Sequence, residues 1–131
     1  MSVGYRFPTD REQLRLFDRI EDAMTWRKPI TLSYFKDKGT DAAGYRLYVK
    51  VTRTVEPHDL VPADGSFIMR CVDRTPSTGR PAYRSIRLDR IAVSRTTNRP
   101  LFTLHLKGRY LNPTLLDGKP LHPTKGALTS A

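Results

Sequence analysis

The sequence predicts a small α+β domain that is mostly β, with one helix near the N-terminus followed by short strands forming a compact barrel. Three observations carry that expectation. The chain has 131 residues, about the length of one domain. Only one stretch, before Pro29, repeats its apolar residues at helical spacing. After it, short alternating runs recur between turn residues, enough for five or six strands and hence a small barrel.

The helix is expected over residues 9–28. Thr9 stands as N-cap with Glu12 three residues later, the reciprocal pattern of a capping box. Leu16, Phe17, Ile20, Ala23 and Met24 form one apolar stripe, and Pro29 stops the helix. The barrel is expected over 30–107. Ile30, Leu32 and Tyr34 alternate as a first strand, and Tyr45, Leu47, Val49 and Val51 as the core face of a second. The polar stretch KDKGTDAAG between them reads as a mobile connection. Asp64-Gly65 is a hairpin turn leading into the strand SFIMRCVD. RTPSTGRP is another loop, and AYRSIRL, RIAVSR and LFTLHL complete the strands. Prolines and glycines interrupt residues 108–131, which are expected to be a flexible tail with a near-repeat, Leu111-Asn112-Pro113-Thr114 and Leu121-His122-Pro123-Thr124.

No run of about 20 apolar residues exists to cross a bilayer, and the start lacks a secretory signal, so a cytoplasmic protein without membrane attachment is expected. Cys71 is the one cysteine, and it reads as a buried thiol. The three histidines share no ligand spacing, so no metal or cofactor is assigned. There is no nucleophile elbow, phosphate loop or zinc-protease helix, and a non-enzymatic role is expected.

The net charge of +10 is unevenly placed. Residues 1–66 carry eleven basic and ten acidic side chains, a net of +1, and residues 67–131 carry twelve and three, a net of +9. Such a basic half attracts polyanions.

Arg84-Ser85-Ile86-Arg87-Leu88-Asp89-Arg90-Ile91 resembles the hallmark stretch of the WYL domains of bacterial regulators and their phage relatives. Arg53 to Leu60, with Pro57-His58, resembles that family's Pro-His-Gly-Leu segment, and Ala23 to Tyr34 its helix-to-strand junction. The name-giving Trp-Tyr-Leu is replaced by Phe67-Ile68-Met69. The resemblance implies an Sm-like or SH3-like five-stranded barrel with a basic, partly aromatic groove that senses ligands, single-stranded nucleic acid among them. Only about ten residues precede the helix, too few for the helix-turn-helix many relatives carry, so a stand-alone accessory or regulatory module is expected.

Within that frame Arg87 is expected in the groove and Arg84 or Arg90 at its rim, since strand alternation sets Arg84 and Arg87 on opposite faces and a guanidinium grips phosphate bidentately. His58 is presented by the rigid Pro57. Arg46, Tyr48 and Lys50 place an aromatic between two cations, an arrangement that stacks a base and neutralises phosphates. Arg70 completes the candidate set. Asp73 and Asp89, each beside arginines, read as structural salt links. The expected partner is single-stranded DNA or RNA or another anion. The alternative is a protein-interaction or oligomerisation module using charge for solubility, with a homodimer through the edge strand LFTLHL.

Overall fold

A computed structural model describes residues 4–74, 79 and 82–113. The fold is α+β and mostly strand. A short β1 (Tyr5–Arg6) leads into α1 (Asp10–Trp26), then β2 (Ile30–Thr40), β3 (Arg46–Ala63), β4 (Ser66–Asp73) and β5 (Ala82–Arg87) follow. A 3-10 turn (Leu88–Arg90), β6 (Val93–Ser94) and β7 (Phe102–Leu104) complete the described chain.

The capping box forms as expected: Glu12 N–H donates to the Thr9 hydroxyl and Thr9 N–H to the Glu12 carboxylate. Arg6 adds a two-pronged ion pair to Glu12, at 2.7 and 2.9 Å, tying β1 to the helix start. At the other end Arg27 adopts a left-handed conformation, φ 55°, and closes the helix before Pro29. α1 therefore ends two residues earlier than expected.

The principal sheet is antiparallel in the order β5-β4-β3-β2-β7, and β1 pairs with β6 separately. Leu16, Ile20 and Ala23 of α1 pack on Ile30, Leu32, Val55, Met69, Ile86, Leu88 and Ile91 to form the core. Burying the leucine, isoleucine, valine and methionine side chains contributes about 1.5–3 kcal/mol each. Cys71 lies inside it and burial pushes its thiol pKa up.

Three expectations about the sheet are corrected. First, the sheet does not close into a barrel: β5 and β7 are its two edges, and the return towards β2 is limited to backbone contacts such as the single Tyr34–Ile91 bridge. RIAVSR spends its length on the 3-10 turn and two-residue β6, and LFTLHL forms only three residues of strand, too little ladder for closure. Second, KDKGT is strand, not a mobile connection. β2 and β3 continue as a two-stranded ribbon, and the 41–45 turn is held by the Asp41 carboxylate, which accepts from Ala43 and Tyr45 N–H. Third, Tyr45, Leu47 and Val49 are not core: they are 72, 44 and 39% exposed, because the ribbon runs beyond the reach of α1. Residues 52–63 continue β3, with a bulge between Pro57 and Asp59 that accommodates the proline in the ladder.

The Asp64-Gly65 turn is present, with φ of 30° and 77°. The segment expected to be a free tail begins with packed residues. Tyr110 is buried and donates to Pro57 O, while Leu111 N–H and the Asn112 amide donate to the buried Glu56 carboxylate. Most of RTPSTGRP, the rest of the tail and the second half of its near-repeat lie outside the described residues.

Candidate functional site

Strand alternation builds the site. On one face of the ribbon Phe35 stands opposite Lys50 and Asp37 opposite Tyr48, so Arg46, Tyr48 and Lys50 share that face as expected. Two side chains from the N-terminal segment join them. The Phe7 ring lies edge-on to Phe35 at 4.9 Å and to Tyr48 at 5.3 Å, and Lys50 Nζ lies 4.7 Å over the Tyr5 ring. From the 3-10 turn, the Arg90 guanidinium lies 4.9 Å over Tyr48 and 6.0 Å over Phe7. Aromatics here are clamped by cations, each contact contributing about 0.5–1 kcal/mol at a partly exposed position.

Arg87 reaches the border of this cluster through Asp89. Its Nε and Nη2 donate to the two Asp89 oxygens at 3.0 and 2.9 Å, and Arg90 Nε lies 3.8 Å from the same carboxylate. This fork raises the Arg87 pKa above its usual value. Arg87 does point away from buried Ile86 and Leu88, as alternation requires, yet its bidentate face is spent on Asp89. On the ribbon Arg46 pairs with Asp37 at 3.1 Å. Four cations and two carboxylates thus leave a net charge of +2 around half-exposed rings.

Arg46, Tyr48, Lys50, Arg87 and Arg90 are therefore brought together, and Arg84, Arg70 and His58 are not. β5 turns Arg84 to the core side with Ile86, where it pairs with the buried Asp73 at 2.8 Å. Arg53 shares that carboxylate at 3.5 Å and donates to the Tyr34 hydroxyl. Arg70 is paired with Asp59 across β3 and β4. His58 sits at the β3 bulge with its ring 4.8 Å from Tyr110. Asp73 and Asp89 are both salt-linked, as their arginine neighbours suggested.

Sequence reasoning missed Tyr5 and Phe7. Their signal was the alternation of aromatic, arginine and aromatic at 5–7 just before the helix cap. Among the described residues no group of three or more His, Cys, Asp and Glu side chains could hold a metal ion, and no helix is long and apolar enough to cross a membrane. Comparison with protein-family models, with curated proteins and with solved structures finds no match to this chain.

Proposed function

We propose that this chain is a WYL-type accessory or regulatory module of the cytoplasm that binds single-stranded nucleic acid on the face formed by Tyr48, Phe7, Tyr5, Arg46, Lys50 and Arg90. The observation that carries this reading is the Arg90–Tyr48–Phe7 cluster with Lys50 beside it. A base stacks on an aromatic ring or a guanidinium plane whatever its identity, and the flanking cations neutralise the backbone. The basic excess of the second half supplies longer-range attraction. The fold is read as an opened Sm-like or SH3-like barrel; support comes from the β5, 3-10 turn and return to β2 at the Tyr34–Ile91 bridge.

Polarisation of a labelled single strand tests the proposal. Affinity is expected to fall with salt, by about 0.7 log units per tenfold salt for each phosphate contact. Tyr48→Ala is expected to weaken binding by about 1–3 kcal/mol, the usual contribution of one stacked base. Binding that ignores both salt and Tyr48 refutes the reading.

One observation favours a second reading, a protein-interaction module. The opposite face of the ribbon exposes Tyr45, Leu47 and Val49 in one row. Light scattering discriminates: self-association lost on Leu47→Lys, with no oligonucleotide binding, selects this alternative.

A further inference from the structure

The stacking face does not end at Lys50. Tyr48, Lys50, Thr52 and Thr54 follow one another on the same side of β3, and six residues of strand carry the row about 20 Å. Lys50 and Thr52 are exposed and Tyr48 and Thr54 half-buried, so the row is accessible along its length. It runs into an open surface depression of about 440 Å³ lined by Thr54, Arg74, His105 and Lys107, with Leu104, Leu106 and Gly108 beside them. That volume lies within the range of small-molecule pockets, about 300–1,000 Å³.

The depression is built rather than incidental. His105 Nε2, just past β7, lies 2.6 Å from the Thr31 hydroxyl, which lies 2.7 Å from the Thr54 hydroxyl, a continuous polar chain that runs on across β2 and β3. His105 N–H donates to Pro29 O, and Gly108 N–H turns back onto His105 O. Gly108 packs so tightly on Pro29 that a Cβ there would lie 2.6 Å from the proline ring. Arg74 is held beside Thr54 by its own N–H to Thr54 O and by Nη2 to Arg109 O. Glu56 lies 3.6 Å from Arg74 Nε, and among the described residues no acidic side chain lines the depression.

From this the geometry points to a pocket for a phosphate monoester at the end of the β3 row. The inference rests on the proposed strand-binding face for its first source of ligand, the terminal phosphate of a bound single strand; a free nucleoside monophosphate presents the same chemistry. A monoester carries about −1.5 to −2 charges at neutral pH and three acceptor oxygens, which suits a lining of one arginine, one lysine, one histidine and the Thr54 hydroxyl. A mid-chain diester carries a single charge and has to continue in both directions. Gly108, packed on Pro29, lines the depression at this end of the row.

Single strands of one sequence, bearing a 5′-phosphate, a 3′-phosphate or hydroxyl ends, are titrated beside AMP and adenosine. One phosphorylated strand is expected to bind about tenfold tighter than the hydroxyl-ended strand, the size of one added charge-assisted hydrogen bond. That ratio is expected to fall towards one in Lys107→Ala and in His105→Asn, with circular dichroism confirming that both variants fold. AMP binding that depends on Lys107, without any preference among strands, keeps the pocket and assigns it to free nucleotide. AMP binding when no strand binds at all keeps the pocket and removes the strand-binding face. Equal strand affinities together with AMP no tighter than adenosine overturn the inference. So does a phosphate preference that survives both substitutions.

Discussion

Glu12 carries three loads at once: it closes the capping box on Thr9, receives the Arg6 fork and joins β1 to α1. The Arg6 hydrogen bonds, joined by those from Thr9, hold its carboxyl at about 2, below the usual 4.5. A folded-state pKa depressed in this way contributes stability above the unfolded value, and the contribution is lost as pH falls from about 4.5 towards 2. Melts of the wild type are therefore expected to lose more between pH 5 and 2 than melts of Glu12→Gln, which starts lower; parallel curves would contradict this. Arg87 and Arg90 divide differently from their expected roles. Arg87→Ala is expected to weaken oligonucleotide binding less than Arg90→Ala, because Asp89 already occupies the Arg87 fork while Arg90 lies on the ring face. Titrating both variants with one strand measures the difference, and the reverse order would return Arg87 to the centre of the site.

The ribbon and the 108–113 segment are the elements whose sequence and structure disagree most. Alternation of Tyr45, Leu47, Val49 and Val51 is the pattern of a half-buried strand, but a pattern names a face without supplying a layer to cover it. Helix α1, of 17 residues, covers the base of the sheet and not the ribbon. Leu47→Thr and Val49→Thr are therefore expected to melt within about 0.5 kcal/mol of the wild type, as surface substitutions do. The opposite holds for the start of the tail. Tyr110 is buried against His58 and Pro57, burial raises its hydroxyl pKa, and the neighbouring backbone satisfies the buried Glu56 carboxylate. Tyr110→Ala is expected to cost about 3–5 kcal/mol, as truncation of a buried large aromatic does. Truncation after Lys107 removes that side chain together with the partners of Glu56. The lowered melting temperature expected of it runs against the sequence expectation of a flexible tail, and an unchanged one would restore that expectation.

At the scale of the molecule, what could be read without coordinates was what depends on neighbours in the chain. Thr9 and Glu12 set the start of α1, Pro29 the stop that follows it, Asp64-Gly65 the hairpin, and the apolar spacing of Leu16, Ile20, Ile30, Leu32 and Ile86 the core, because capping, turn geometry and periodicity are local properties. The face shared by Arg46, Tyr48 and Lys50 was legible for the same reason, since alternation along one strand requires no partner. Tertiary structure decided what lies across from those residues. It set Phe7 and Arg90 on Tyr48 from 41 residues upstream and 42 downstream, spent Arg84 on buried Asp73 and Arg87 on Asp89, and joined Thr31, Thr54 and His105 into one polar chain. It also left the sheet open, because closure depends on the length of ladder the last strands can form. Pairings between distant segments follow from strand order and register, and no local pattern in the chain encodes either one.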